Sequence, residues 1–92
     1  MANTYRISEI TREKIFNLLN KEIPYLVKIK TRIKNEEKIV KIYQDIYVNK
    51  DSQKSIIIGK NGEKIKMIGT RSRIDIEKIL KKKVFLDLTV KK

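Results

Sequence analysis

Two of the three glycines in this 92-residue chain lie three positions apart, where one helical pattern ends and another begins. Gly59 follows the isoleucines at 56–58, and Gly62 precedes a long amphipathic pattern. Glycine adopts backbone angles that other residues avoid, and it lets another backbone come close. The spacing therefore predicts two helices that meet at a tight turn with glycine at both corners.

The segment before this turn predicts a helix and a hairpin. From Ser8 to about Asn20 the apolar residues have helical spacing, with Ser8 as the N-cap. Pro24 excludes a helix there, and residues 25–34 alternate between apolar and basic side chains, as in a strand with one exposed face. A polar turn at 35–38 leads to a second alternating strand, so the two strands should pair antiparallel. Gln44 falls on the apolar face of that strand without an evident partner.

The segment around and after the turn predicts two helices and a third strand. A short helix covers Gln53–Ile58, with Asp51 or Ser52 as its cap. A longer helix runs from near Gly62 to residue 80, and small residues at 69 and 72 on its apolar stripe imply close approach to the sheet or the short helix. Residues 84–90 alternate again, which is typical of a strand.

Composition limits the function. Lys and Arg number 23 against 11 Asp and Glu, a net charge of +12, so the partner should be a nucleic acid or an anionic membrane. The chain has no Cys and no His, which removes the common nucleophiles, zinc ligands and general bases. Its carboxylates do not cluster. We expect no catalytic residues, no metal site and no cofactor.

The glycine turn is the candidate binding site. A helix N-terminus next to flexible glycines accommodates a phosphate, although two glycines three apart usually mark only a tight turn. Basic residues outnumber acidic ones seven to two between positions 50 and 73, and at least one isoleucine beside the turn should contact bases; the choice among Ile57, Ile58 and Ile65 stays open. The predicted RNA-binding residues are Gly59, Lys60, Asn61, Gly62, Lys54, Ile57, Ile58, Lys64, Ile65, Lys66, Arg71 and Arg73.

Several segments of the chain resemble one protein family. These are residues 51–62, which end in Ile-Ile-Ile-Gly-Lys-Asn-Gly, residues 65–69, residues 75–77 and residues 83–88. Residues 12–14 and 22–25 are similar as well. The chain resembles the C-terminal KH domain of the bacterial Era GTPases over nearly its whole length.

This resemblance implies a fold and a role. The fold is α+β, a type II KH domain in the order α-β-β-α-α-β, with a three-stranded mixed sheet and three helices. One domain spans 1–92, with residues 1–5 flexible or added for expression. The implied function is binding of single-stranded RNA, at the 3′ end of small-subunit ribosomal RNA, during assembly of the small ribosomal subunit. The GTPase domain of that family does not lie in this sequence, so no enzymatic activity is expected.

The expected protein is a cytoplasmic monomer whose partners are single-stranded RNA and the small ribosomal subunit. One alternative stays open, a basic module that docks on protein or on an anionic membrane surface. In that case the chain would lie peripherally at the inner face of the membrane. The absence of Trp and of a strongly one-sided basic helix favours RNA.

Overall fold

The computed structural model describes residues 3–19 and 27–92. In these residues three α-helices and three strands follow the predicted order, and a short 3-10 turn, Lys60–Gly62, separates the second helix from the third. The elements are α1 Asn3–Leu18, β1 Lys28–Asn35, β2 Ile39–Tyr47, α2 Asp51–Ile58, α3 Glu63–Leu80 and β3 Lys83–Lys91. The predicted helix break at Pro24 and the strand start at Tyr25 lie outside the described residues.

The strands form one mixed sheet in the order β1-β2-β3. β1 and β2 pair antiparallel, with Ile33 opposite Ile42, which confirms the predicted hairpin. β2 and β3 pair parallel, with Ile42 opposite Leu86. A parallel pair needs a long crossover, and α2 and α3 supply it. The crossover places both helices next to β3.

The core lies between the helices and one face of the sheet. Each helix contributes a fully buried isoleucine to it, namely Ile15 from α1, Ile57 from α2 and Ile68 from α3. On the other face of the sheet, every second residue of β1 and β3 is exposed. This period of two is the alternation that the sequence shows.

Gln44 is fully buried between α1 and the sheet, and a polar network satisfies its amide group. Its Oε1 accepts a hydrogen bond from Thr11 Oγ1 (2.6 Å), and its Nε2 donates to Thr31 Oγ1 (3.1 Å) and to the carbonyl oxygen of Ile7 (3.4 Å). Ser8 Oγ lies 2.5 Å from Thr31 Oγ1. A buried amide without partners costs roughly 1–3 kcal/mol, so the network fixes how α1 lies on the sheet.

The start of α1 differs from the prediction. The helix begins at Asn3, so Ser8 lies inside it and does not cap it. The Ser8 hydroxyl bonds to β1 instead, as described above. Residues 3–5 belong to α1.

The cap of α2 also differs from the prediction. Asp51 and Ser52 lie in the first turn of the helix, and the N-cap position belongs to Lys50. The side chain of Gln53 does the capping, because its Oε1 accepts hydrogen bonds from the backbone N–H groups of Asn49 (2.9 Å) and Lys50 (3.2 Å). Gln at the third helical position is typical of a capping box.

An ion pair joins α1 to α3, the helix that follows the glycine turn. Lys14 Nζ lies 2.5 Å from Asp75 Oδ2. The hydrogen bond from Lys14 holds the pKa of Asp75 below its usual value, against the opposing effect of burial. The same hydrogen bond raises the pKa of Lys14. Both side chains remain partly exposed, so the pair stabilises the packing of α1 on α3 by no more than about 1 kcal/mol.

Candidate nucleic-acid interface

Residues 59–62 form the turn between α2 and α3, and three of them have positive φ angles. Gly59 ends α2 with φ 75° and ψ 174°, and its N–H donates a hydrogen bond to the carbonyl oxygen of Ser55 (2.9 Å). Asn61 and Gly62 have left-handed angles, with φ 57° and 73°. α3 begins at the next residue, so the chain passes from one helix to the other within these four residues.

The two glycines are required for different reasons. A Cβ at Gly59 would lie 2.5 Å from Lys64 Cγ and 2.9 Å from the Lys64 backbone nitrogen, which leaves no room for a side chain. The backbone angles of Gly59 also lie in a region that essentially only glycine populates. At Gly62 an added Cβ would make an ordinary contact of 3.9 Å with Ile65 Cγ2. A side chain at position 62 therefore costs only the free energy of placing a residue other than glycine in the left-handed conformation, roughly 1–2 kcal/mol.

The tip of the turn is exposed and positively charged. Lys60 and Asn61 both face solvent. Asn is one of the few residues besides glycine that adopt the left-handed conformation without severe strain. Behind the tip lies the positive end of the α3 dipole, although Glu63 in the first turn opposes that charge in part and the Glu63 N–H already donates to the carbonyl oxygen of Lys60. An anionic oxygen that approaches the tip therefore meets a lysine and the positive end of a helix dipole.

A shallow groove of about 390 Å³ lies between α3 and β3 and begins beside the turn. α3 contributes the apolar side chain of Ile65 and the basic side chains of Lys66 and Arg73. At Gly69 an added Cβ would lie 3.6 Å from Leu88 Cδ1, which shows how closely α3 approaches the sheet, as the small residue predicted. The full lining is Ile65, Lys66, Gly69, Thr70, Arg73, Leu86 and Leu88.

The far wall of the groove is an edge strand. β3 is last in the strand order, so one row of its backbone N–H and C=O groups has no strand partner in the described part of the chain. Free groups of this kind hydrogen-bond to whatever lies beside them. The groove thus combines apolar contacts, positive charge on α3 and backbone hydrogen-bonding groups on β3. Planar polar rings joined by phosphates fit that combination.

Comparison with known proteins identifies the fold. The KH domain family matches residues 22–92. The chain belongs to the KH domain family. Its relatives include the GTPase Era of Coxiella burnetii strain Dugway, 48% identical over 91 residues, and the GTPase Era of Staphylococcus epidermidis, 51% identical over 87 residues. These matches cover 98% and 92% of this KH domain but 31% and 29% of the relatives, so the chain spans about a third of their length.

Two solved structures contain the same fold. One is a variant of Aquifex aeolicus Era bound to GDP and AlF4−, and the other is Era in complex with MgGDPNP and nucleotides 1506–1542 of 16S ribosomal RNA. Each matches 96% of this KH domain with a TM-score of 0.88 and 37% identity, and the matches cover 31% and 30% of those chains. The predicted element order, the mixed sheet and the resemblance to Era are thus confirmed.

The structure brings most of the predicted residues together. Gly59, Lys60, Asn61 and Gly62 form the turn, and Ile65, Lys66 and Arg73 line the adjoining groove. The stem of Lys64 packs over Gly59, and Lys54 is half-buried on α2. Arg73 also lies 3.1 Å from Glu77 on the next turn of α3, which neutralises part of its charge.

Several predicted residues, among them Ile57, Ile58 and Arg71, do not line the groove. Ile57 is 0% exposed and belongs to the core, so it cannot contact RNA. Consecutive isoleucines on one helix cannot share a face, and the phase of α2 leaves Ile56 45% exposed and Ile58 half-buried against the core. Arg71 is exposed, but it lies about 200° around the axis of α3 from Arg73, away from the groove.

The groove also contains four residues that were not predicted, Gly69, Thr70, Leu86 and Leu88. Helical spacing could have predicted Gly69 and Thr70, because they share a face of α3 with Lys66 and Arg73. No local signal was available for the two leucines. They join the site because the parallel crossover places α3 against β3.

Proposed function

We propose that this KH domain binds single-stranded RNA, with the phosphate backbone against Gly59–Gly62 and the bases in the groove between α3 and β3. The observation that carries the proposal is the exposed, positively charged turn at one end of a groove with both apolar and basic side chains in its lining. GxxG loops of KH domains clamp about four nucleotides. Ile65 and Leu88 supply apolar contact for the bases, while Lys66 and Arg73 attract the phosphates.

The groove favours unpaired bases. The open backbone groups of β3 are placed to hydrogen-bond with base edges, and in a duplex those edges are already paired. Among the residues that the structure describes, none that lines the groove is aromatic. Base contact therefore rests on aliphatic side chains and backbone hydrogen bonds.

Similarity to Era proteins supports a specific target. One of the matched structures contains Era with nucleotides of 16S ribosomal RNA. We therefore propose small-subunit ribosomal RNA as the ligand, near its 3′ end, with the chain acting in the cytoplasm as the RNA-binding part of an Era-like GTPase in small-subunit assembly. The isolated domain should act as a monomer.

The alternative of a basic module that docks on protein or on a membrane lacks support from the comparisons described above, which lead to the KH domain family and to Era proteins. None of the described helices is long and apolar enough to span a membrane. Across residues 3–19 and 27–92 no group of three His, Cys, Asp or Glu side chains is arranged to hold a metal ion. RNA binding is the function that the site favours.

The affinity for RNA should depend steeply on salt. For single-stranded RNA the logarithm of the binding constant falls with the logarithm of the salt concentration, with a slope of about −0.7 per phosphate contacted. About four contacts therefore give a slope near −3. A threefold increase in KCl should therefore weaken binding about twentyfold. Fluorescence anisotropy with a labelled RNA of about six nucleotides measures this directly. An affinity that does not change with salt concentration would contradict the proposal, as would equal affinities for the single strand and for a duplex of the same sequence.

A further inference from the structure

The face of the sheet opposite the helices carries a regular pattern of basic and aromatic side chains. In the strand register these residues form four cross-strand rows. Six of the twelve residues are basic and two are acidic, which gives this open face a net charge of four positive. The rows are Lys28, Tyr47 and Lys91; Lys30, Asp45 and Thr89; Arg32, Tyr43 and Asp87; and Lys34, Lys41 and Phe85.

The basic residues of β1 form a line along the edge of the open face. Side chains two residues apart on a strand lie about 7 Å from each other, so four cations follow one another at that spacing. In the described part of the chain neither Lys28 nor Lys30 has an acidic partner within 4.0 Å, whereas Arg32 lies 4.0 Å from Asp45 and Lys34 lies 3.7 Å from Glu36. Among these residues no ion pair neutralises the charges of Lys28 and Lys30, and exposed pairs neutralise those of Arg32 and Lys34 only in part.

An aromatic pair adjoins this line of cations. The guanidinium carbon of Arg32 lies 5.4 Å from the centre of the Tyr43 ring, and the Tyr43 and Phe85 rings meet edge to face at 6.1 Å. Phe85 is 46% exposed although it is a large apolar residue. A guanidinium held over a ring keeps a fixed orientation, and its N–H groups stay available for phosphate oxygens.

Protection of the sheet edge explains only part of the pattern. Lysines on an edge strand hinder pairing with another chain, and this accounts for basic residues on β1. It does not account for the cluster in which exposed Arg32 and exposed Phe85 flank half-buried Tyr43, whereas Lys41 on the central strand has an ion-pair partner in Glu36 at 3.5 Å. A net positive face with an arginine held over an aromatic ring is suited to a polyanion.

We infer that the open face of the sheet is a second RNA contact surface, which binds the phosphate backbone of the RNA segment that leaves the groove. The two surfaces share β3, since Leu86 and Leu88 line the groove while Phe85 and Asp87 lie on the open face. An RNA strand that passes over the edge of β3 would move from the groove to the open face. A lipid surface is a poorer match, because stable docking needs several apolar side chains to insert and Phe85 is the exposed one here.

This inference rests on the proposed function for the identity of the polymer, and the experiment separates the two. The probes are a single-stranded RNA of about six nucleotides and the same RNA extended by about twelve abasic phosphodiester units, which carry charge but no bases. The variants are Lys30→Glu with Arg32→Glu on the open face and, as a matched control, Arg6→Glu with Lys78→Glu. Arg6 and Lys78 are exposed on α1 and α3 and belong to neither surface.

We expect the abasic extension to strengthen binding to the parent about tenfold. The Lys30→Glu, Arg32→Glu variant should lose that gain and keep the affinity for the short RNA within about twofold, while the control variant keeps both. If the variant melts earlier than the parent, Lys30→Gln with Arg32→Gln provides the same test without reversed charges and should lose about half of the logarithmic gain.

Three results would overturn the inference. The first is a gain from the extension that survives in the open-face variant, and the second is an equal loss in the control. The third is that binding to vesicles of phosphatidylcholine and phosphatidylserine depends on Lys30 and Arg32, whereas the gain in affinity from the abasic extension does not depend on them. Failure of the parent to bind the short RNA would instead contradict binding of RNA in the groove. In that case the affinity of the parent and of the open-face variant for the abasic chain alone would still test the open face.

Discussion

Replacement of Lys60 and Asn61 by Asp is expected to weaken binding of short single-stranded RNA about a hundredfold while the fold stays intact. The substitution removes the attraction of Lys60 for a bound phosphate, and each of the two positions gains a carboxylate, taken to lie about 5 Å from that phosphate. Each of these changes costs about 1 kcal/mol at an effective dielectric constant between those of water and protein, and about 3 kcal/mol corresponds to a hundredfold change in affinity.

The fold should tolerate this double variant for three reasons. Both side chains are exposed. Asp, like Asn, adopts the left-handed conformation that position 61 requires. Acidic residues before a helix also interact favourably with its dipole. We expect the melting temperature to stay within a few degrees of the parent value, since exposed substitutions change stability by roughly 0.5 kcal/mol or less.

A matched control exists at the hairpin between β1 and β2. Asn35→Asp with Lys38→Asp makes the same two kinds of substitution and the same change in net charge at a turn remote from the groove. This variant should bind the short RNA within a few-fold of the parent. Equal loss in both variants would mean that overall charge, and not the glycine turn, governs the affinity.

Replacement of Gly59 by Val should damage both the fold and RNA binding. A Cβ at this position would lie within 3.0 Å of Lys64 Cβ, Cγ and backbone nitrogen, and the backbone angles exclude a β-branched side chain. We expect a loss of about 3 kcal/mol or more in the free energy of unfolding, which lowers the melting temperature of a domain of this size by roughly 12 °C or more. Thermal unfolding followed by circular dichroism measures the shift.

Gly62→Ala is the control for this substitution. The added Cβ has space at position 62, so the loss should be about 1 kcal/mol and RNA binding should largely remain. If Gly59→Val melts no lower than Gly62→Ala, the two glycines do not have the different roles described above. If Gly59→Val is stable and still binds RNA, the turn does not need its present shape.

Local patterns predict the elements of this domain well, because alternation and helical spacing are properties of neighbouring residues. The strand of residues 84–90 and the glycine turn are examples. The start of α1 was predicted wrongly, since Ser8 is a good cap by residue type but its hydroxyl has a partner on β1 in Thr31. Gln44 looked misplaced for the same reason, as its partners come from α1 and β1.

The site was predictable in part. Gly59 and Gly62 are recognisable because few other residues accept positive φ angles. The choice among Ile57, Ile58 and Ile65 depends on how the helices are rotated against the core, which no short pattern determines. The far wall at Leu86 and Leu88 depends on a parallel pairing between strands more than thirty residues apart in the chain. Such contacts come from the packing of the whole domain.

The measurement that tests the central claim most directly is a map of amide chemical shifts in the 15N-labelled domain during titration with an RNA of about six nucleotides. If the RNA lies against the turn and in the groove, the largest changes should fall on residues 59–66, on Gly69 and Arg73, and on residues 85–89 of β3, while the amides of Arg6 and Lys78 stay unchanged. Changes confined to α1 or to β1, with residues 59–66 unaffected at saturation, would contradict the account.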